Sequence, residues 1–176
     1  RRIDVGARVV INATGVWSDH VRQMAVPGVA PLLRPSQGAH IVLDGDFLPG
    51  GDALLVPRTR DGRVLFMIPW HGRLLVGTTD TERSDAPLEP QSRADEIDFI
   101  LETAARYLHR VPTRADVRSA FAGLRPLLGA PGGATSRLSR EHHIETAHGL
   151  VSILGGKWTT VRRMAEETVD TARHVA

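Results

Sequence analysis

A glycine pair followed by a lysine, near the C-terminus, is the segment with the clearest chemical potential. Residues 150–154 form an apolar strand-like run, Gly155 and Gly156 follow it, and Lys157 stands before a helix-like pattern. Glycines remove side-chain bulk, so a ligand can approach the backbone closely. The first N–H groups of a helix favour an anion or an electron-rich ring. Because the helix dipole disfavours a cation there, Lys157 favours a functional explanation over a solvated surface lysine.

A second segment, near the other end, follows the same logic. Residues 9–13 form a buried-type strand, and Thr14, Gly15 and Trp17 follow in a turn of small residues. Thr159 and Thr160 occupy the corresponding place after Lys157. Either set alone also fits a tight strand-to-helix turn with a purely structural role. The two sets together resemble the two later nucleotide-contacting segments of FAD-dependent oxidoreductases of the D-amino-acid-oxidase superfamily.

Five further motifs lie between these segments in a fixed order. They are Pro35-Ser36-Gln37-Gly38-Ala39-His40, Phe66-Met67-Ile68-Pro69-Trp70, Gly77-Thr78-Thr79-Asp80-Thr81, Ala122-Gly123-Leu124-Arg125-Pro126-Leu127 and Ser139-Arg140-Glu141-His142. With the glycine-lysine segment, this series resembles the FAD-dependent glycerol-3-phosphate dehydrogenases of the D-amino-acid-oxidase superfamily over nearly the whole chain. Gln37 is a departure, since several relatives have a lysine before the glycine.

The resemblance implies FAD as the cofactor. Its candidate ligands are Thr14, Gly15, Trp17, Gly155, Gly156, Lys157, Thr159 and Thr160. The family opens with a strand-GxGxxG-helix unit that binds the pyrophosphate, and this sequence has no GxGxxG. We therefore expect an interior fragment of a larger enzyme, which by itself binds FAD weakly and is inactive.

Oxidation of a secondary alcohol requires a hydride acceptor, a base for the hydroxyl proton, and cations for a phosphate on the substrate. The resemblance implies substrate contacts from Arg125, Arg140, His40 and Lys157, with catalytic roles for His40 and Lys157. An ordinary salt bridge is the rival explanation for Arg140, and a satisfied strand-end histidine is the rival for His40. Thr78 and Thr79 either face the pocket or are merely β-branched strand residues.

The implied reaction converts sn-glycerol 3-phosphate to dihydroxyacetone phosphate, with electrons passing to the membrane quinone pool. The implied location is cytoplasmic and peripheral, at the inner face of the cell membrane. Two alternatives stay open: an oxidase of the same fold that uses oxygen, and a non-catalytic module that binds an anion. Homo-oligomerisation is also left open.

Composition excludes several other classes. A formal charge of +2 does not indicate nucleic-acid binding. The absence of cysteine excludes disulfides and thiolate metal sites, and His142, His143 and His148 show no metal-ligand spacing, so no metal is expected. No apolar run reaches transmembrane length, and no signal peptide is evident.

The hydrophobic periodicity predicts an α+β fold. An antiparallel substrate-binding sheet with a packed helix, residues 30–146, lies between strand-helix pieces of an FAD-binding domain at 1–29 and 147–176. Helices are expected from Ser18, as a cap, to Met24, over 93–109 with a Ser92-x-x-Asp95 capping box, and after the glycine pair. Expected strands are 7–13, 38–43, 53–57, 63–69, 73–79, 117–124, 141–146 and 150–154.

Overall fold

The computed structural model describes residues 2–129 and 141–176, and the chain divides into two compact units. The central unit is Ser36–Leu124, and the terminal unit combines Arg1–Pro35 with Arg125–Ala176. These limits differ from the predicted boundaries at residues 30 and 147. The difference arises mainly because the strand at 142–147 pairs with the strand at 150–155, so it belongs with the terminal segments.

The central unit is built on an antiparallel sheet with strand order β3-β4-β5-β2-β6, and β7 also pairs with β2. One helix, α2 (Ala94–Ala104), belongs to this unit. The strands are β2 (Leu33–Asp44), β3 (Leu54–Val56), β4 (Leu65–Trp70), β5 (Arg73–Gly77), β6 (Thr81–Glu82) and β7 (Ser119–Leu128), of which β2 and β7 extend beyond the unit's limits.

Alternation along these strands gives the sheet one fully buried face. On β2, Ala39, Ile41 and Leu43 are buried, whereas the residues between them are half-buried. Helix α2 contributes Ile100 and Ala104 to the same core. The helix therefore covers one face of the sheet and leaves the other to carry functional side chains.

The terminal unit is a second, smaller sheet with strand order β1-β9-β8. Its strands are β1 (Val10–Asn12), β8 (His142–Ala147) and β9 (Leu150–Gly155), and its helices are α1 (Ser18–Ala25) and α3 (Val161–Val175). Strands β1 and β9 are parallel, whereas β8 and β9 are antiparallel. The predicted α+β class is confirmed. Nowhere in the described residues does a helix have the length and apolar character needed to cross a membrane.

The helix starts differ from the predictions in two places. Ser18 is the first residue of α1 rather than its N-cap, and its carbonyl accepts a bond from Asn12. Helix α2 is capped at Arg93, whose N–H donates to the Glu96 carboxylate over 2.9 Å, so the box is shifted by one residue from Ser92 and Asp95. At α1 the N-cap residue is Trp17, which makes no side-chain cap hydrogen bond, whereas at α2 Glu96 takes the place expected for Asp95.

One carboxylate at the end of β2 links three parts of the central unit. Asp44 accepts hydrogen bonds from Arg73 on β5 and from Arg118, which precedes β7; the Arg118 Nη2 lies 2.6 Å away. The hydrogen bond from Arg118, aided by the charges of both arginines, holds the pKa of Asp44 below its ordinary value. The carboxylate therefore prefers the folded state when it is ionised.

Replacing Asp44 by Asn should lower the free energy of unfolding at neutral pH. Because the folded pKa of Asp44 is depressed, its contribution is present above the unfolded value of about 3.9 and is lost as the pH falls through the folded value. We expect the difference between wild type and Asp44→Asn to shrink below about pH 4. Urea unfolding across this range measures it, with the exposed Asp52→Asn as control. A difference independent of pH would contradict the assignment.

Candidate functional site

His40 lies on the sheet face opposite the core of the central unit. It sits on β2 between the buried Ala39 and Ile41, so its side chain projects to the other face. In the register of the sheet, His40 lies beside Gly77 of β5, which in turn lies beside Phe66 of β4. The structure thus places the histidine of the Gly-x-His motif and the glycine of the Gly-Thr-Thr motif next to each other.

The His40 ring occupies a confined position. It stacks on Phe121 of β7 with ring centroids 5.2 Å apart and planes 8° from parallel. A Cβ atom added to Gly77 would lie 2.2 Å from the His40 Cδ2 atom, so the ring passes directly over this glycine. Sequence reasoning missed Phe121, because nothing in the β7 motif indicates which residue of β2 it faces.

A buried carboxylate organises the segment that carries His40. Glu96, near the start of α2, is only 3% exposed. Its Oε2 accepts from Gln37 Nε2 at 2.7 Å and from the Arg93 N–H at 2.9 Å. Its Oε1 accepts from the hydroxyls of Thr79 and Thr81, each at 2.9 Å. Four donors therefore satisfy a charge that would otherwise be costly to bury.

The same network reaches the residue before His40. The Thr79 hydroxyl, while donating to Glu96, accepts the N–H of Ala39 over 2.8 Å. Thr79 is buried, so the structure does not show it facing an open pocket. Its observed role is to connect the segment after β5 to β2. Glu96 was missed by sequence reasoning, which took Asp95, one residue earlier, as the carboxylate of the capping box.

Gln37, the departure from the family motif, belongs to this network. Its Nε2 also donates to the Gln91 carbonyl at 2.9 Å, and its Oε1 accepts from Arg83 Nη1 at 2.9 Å. Because the side chain is fully buried, Gln37 bonds to protein groups. The amide supplies both a donor and an acceptor, as these neighbours require.

The terminal unit brings the two predicted cofactor segments to one edge. Strands β1 and β9 run parallel with Asn12 opposite Ser152, so the Gly15 turn and the Gly155–Gly156 pair follow the same ends of their strands. Asn12, which is buried, donates to Ser152 Oγ at 3.1 Å and accepts the Thr14 hydroxyl at 2.6 Å. This asparagine, which sequence reasoning did not single out, fixes the turn that carries Thr14 and Gly15.

The glycine pair also has a packing role. A Cβ atom on Gly155 would lie 2.7 Å from the Glu141 carbonyl oxygen, and one on Gly156 would lie 2.4 Å from the Met164 sulfur. Both also have positive φ angles. The fixed Glu141 carbonyl thus explains the absence of a side chain at Gly155, and the positive φ favours glycine at Gly156, where the flexible end of Met164 could move aside. Gly15 also has a positive φ, but a Cβ there would meet nothing within 4 Å.

Exposed side chains surround this edge. Lys157 is exposed and precedes the short 3₁₀ turn Trp158–Thr160 that leads into α3. Trp158 is 87% exposed and Trp17, on the other turn, is 38% exposed. Thr159 is exposed, and the exposed Thr160 donates through its hydroxyl to the Lys157 carbonyl at 3.0 Å. The turn is therefore fixed locally while it presents a cation and an aromatic ring to solvent.

A cavity of about 340 Å³ opens beside these turns within the terminal unit. Its walls are almost entirely apolar and come from β1, β9 and α3, with a glycine at each turn. The lining residues are Ile11, Ala13, Gly15, Ile153, Gly155, Val161, Met164, Ala165, Thr168 and Val169. The volume is within the range of small-molecule pockets, but the lining suits an apolar body rather than a phosphate.

The structure describes one of the two predicted substrate arginines. Arg125 is half-buried on β7, where it belongs to the terminal unit. Arg140 lies outside the described residues. His40 belongs to the central unit, whereas Lys157 belongs to the terminal unit. Their convergence on one substrate stays a prediction.

Of the C-terminal histidines, His142 has a defined partner. Its Nε2 lies 2.6 Å from Glu167 Oε2, joining β8 to α3. Hydrogen bonds from Arg163 first, and then from His142, lower the pKa of Glu167. Among the described residues, no group of three or more histidine, aspartate or glutamate side chains is arranged to hold a metal ion.

Strand-to-helix turns at one edge of a parallel pair of strands are typical of nucleotide-binding proteins. Comparison with known proteins identifies the family within this class. The sequence matches the family of FAD dependent oxidoreductases (DAO) over residues 1–162. The mitochondrial glycerol-3-phosphate dehydrogenase of Arabidopsis thaliana is 48% identical over 168 residues, which cover 94% of this chain and 27% of that protein. The chain belongs to the FAD dependent oxidoreductase family.

Solved structures agree with this assignment. The glycerol-3-phosphate dehydrogenase from Bacillus halodurans, complexed with FAD, matches with a TM-score of 0.81 and 34% identity, over 97% of this chain and 32% of that one. The L-alpha-glycerophosphate oxidase from Mycoplasma pneumoniae, with FAD bound, shares the fold, with a TM-score of 0.65 at 20% identity, over 94% of this chain and 41% of that one. The chain therefore spans about a third or less of the glycerol-3-phosphate dehydrogenases it matches.

Replacing Glu96 by Gln should destabilise the central unit by about 1–3 kcal/mol. A glutamine offers one carbonyl oxygen instead of two carboxylate oxygens. Its side-chain NH₂ group would face N–H or O–H donors, from which it cannot accept a hydrogen bond. Urea unfolding of the variant, compared with the exposed Glu89→Gln, measures the effect. If both variants unfolded at the same urea concentration, the network would not hold the unit together as described.

Proposed function

We propose that this chain forms the substrate-binding sheet and part of the cofactor edge of an FAD-dependent enzyme that oxidises sn-glycerol 3-phosphate to dihydroxyacetone phosphate. The observation that carries the proposal is 48% identity to a glycerol-3-phosphate dehydrogenase across 94% of the chain. Within each unit, motifs that carry this likeness lie close together. His40 lies beside Gly77 in the central unit, and Gly15 and Gly155 line one cavity in the terminal unit.

The terminal unit has groups that suit part of FAD. Open space at Gly15 and the exposed turn at Lys157–Thr160 offer close backbone approach, aromatic surface and positive charge. We assign the cofactor contacts to this edge, with Thr14, Trp17, Gly155 and Gly156 shaping it. No described residue there forms a GxGxxG loop, so the pyrophosphate requires groups from elsewhere. When bound, FAD supplies the hydride acceptor.

His40 is proposed as the base. Oxidation at C2 removes a hydride from carbon and a proton from the hydroxyl, leaving the ketone. A neutral imidazole within hydrogen-bonding distance of that hydroxyl accepts the proton, and its ordinary pKa range suits this task near neutral pH. The confined ring position on the sheet supports this role, since proton transfer requires a fixed geometry.

Arg125, Arg140 and Lys157 are proposed to supply positive charge. An arginine fork binds two phosphate oxygens at once, which suits the phosphate of the substrate. Lys157 provides a point charge on the exposed turn, where it stabilises negative charge that develops during oxidation. The arginines thus serve binding, whereas the lysine serves both binding and the chemical step.

The proposal extends to the electron acceptor and to the location of the enzyme. On the family resemblance, we assign a membrane quinone as the acceptor and a peripheral position at the inner face of the cell membrane. The test uses the full-length, flavin-loaded protein, because this chain by itself is expected to bind FAD weakly. Glycerol 3-phosphate is added either with a soluble quinone analogue in the absence of oxygen or, separately, in air. Rapid quinone reduction with little peroxide supports the proposal. Peroxide as the main product identifies an oxidase, and no substrate-dependent reduction of either acceptor contradicts the activity.

Replacing Arg125 by Lys should raise the KM for glycerol 3-phosphate about tenfold or more, since a charge-assisted bond to the lost fork contributes roughly 1.5–3 kcal/mol. The flavin content should not change, because the arginine is assigned to the substrate. Steady-state kinetics and the flavin-to-protein ratio measure the two effects. The exposed Arg60→Lys is the control. Loss of flavin with an unchanged KM would instead make Arg125 a cofactor-facing or structural residue.

A further inference from the structure

The slot around His40 is formed by two residues that need not touch substrate. Phe121 of β7 covers one face of the imidazole, at 5.2 Å between centroids and with the planes 8° apart. On β5, Gly77 leaves the space through which the ring passes, because any Cβ there would lie within 2.8 Å of three ring atoms. All three residues belong to the central unit, so the slot is complete within it.

Packing of the hydrophobic core explains neither the position of the Phe121 ring nor the absence of a side chain at Gly77. The core of the unit lies on the opposite face of the sheet, where the neighbouring Ala122 packs. Phe121 itself is 48% exposed. Because so much of its ring remains in contact with water, its burial contributes little to the stability of the fold. Its parallel stacking has a definite geometric consequence, since an aromatic pair favours a small set of relative ring orientations. A merely bulky side chain would not impose one plane.

We infer that Phe121 and Gly77 are positioning residues that fix the plane of the His40 imidazole for proton transfer from the substrate hydroxyl. The inference rests on the proposed function for its chemistry and on the geometry of the slot for its physical content. Phe121 restricts rotation of the ring about its side-chain bonds from one side. Gly77 gives the ring room to lie flat over β5, where a methyl group would displace it.

The backbone on both sides of the slot is held by a separate contact. The Thr79 hydroxyl, two residues after Gly77, accepts the Ala39 N–H at 2.8 Å, one residue before His40. This contact fixes the strand positions, whereas Phe121 and Gly77 fix the ring. Substitutions at the slot should therefore change ring orientation without unfolding the sheet.

The first test compares Phe121→Leu with Phe121→Tyr in the full-length, flavin-loaded protein. Leucine keeps the apolar bulk but has no flat face, whereas tyrosine keeps the ring. We expect Phe121→Leu to lower kcat roughly three- to tenfold, the range that corresponds to loss of an aromatic pair, with KM for glycerol 3-phosphate unchanged. Phe121→Tyr should restore kcat. Tyr107→Leu, at a residue of similar exposure away from the slot, is the control.

The second test reads ring position without turnover. In protein labelled with ¹³C-histidine, stacking on Phe121 should shift the His40 ring-proton signals upfield, and His40→Gln assigns them. The shift should vanish in Phe121→Leu and persist in Phe121→Tyr. Gly77→Ala should move the same signals although Phe121 is present, whereas Gly123→Ala, which meets no atom within 4 Å, should not.

The two arms separate the inference from the proposed function. If the full-length wild-type protein does not oxidise glycerol 3-phosphate, the proposed function fails, and the histidine signals alone decide whether the slot holds the ring. Unchanged signals in both Phe121→Leu and Gly77→Ala overturn the slot. An unchanged kcat in Phe121→Leu, or a loss that tyrosine does not restore, overturns the positioning role.

Discussion

The buried carboxylate of Glu96 is the interaction on which the arrangement of the central unit depends. An ionised carboxylate at 3% exposure requires donors on every side, and here they come from β2, from the segment after β5 and from the start of α2. The helix N-terminus adds a favourable dipole. These bonds tie β2 to the segment that follows β5, next to the register pair His40–Gly77. The buried charge thus supports the part of the sheet that carries the proposed base.

In the terminal unit, the constraint is the parallel pairing of β1 with β9. Parallel strands end at the same edge of a sheet, so the two turns that follow them are neighbours. Asn12 reinforces this by bonding to Ser152 across the pair and to Thr14 in the turn. The glycine pair is explained first by its positive φ angles and, at Gly155, by the close approach of the Glu141 carbonyl. Any cofactor contact made there uses a turn whose shape is already set by the protein.

The sequence was sufficient to predict elements with regular hydrophobic spacing. Alternation predicted the strand around His40, and the helical stripe from Ile97 to Ala104 predicted α2, although the helix ends at Ala104 rather than at residue 109. Strand β2 begins at Leu33, whereas the prediction began at residue 38. The prediction began late because Pro31 and Pro35 were interpreted as part of a connecting segment. Features that depend on contacts distant in sequence could not be derived. They include the donors around Glu96, the stacking of Phe121 on His40 and the pairing of β8 with β9.

The most direct measurement of the proposed chemistry is anaerobic bleaching of the flavin bound to the full-length protein by glycerol 3-phosphate, compared with the same substrate carrying deuterium at C2. If the chain serves an enzyme that transfers a hydride from C2, glycerol 3-phosphate bleaches the flavin, and deuterium at C2 slows the bleaching. Glycerol without the phosphate should bleach it far more slowly at the same concentration. A flavin that stays oxidised with glycerol 3-phosphate, or is reduced equally fast by glycerol, would contradict the account.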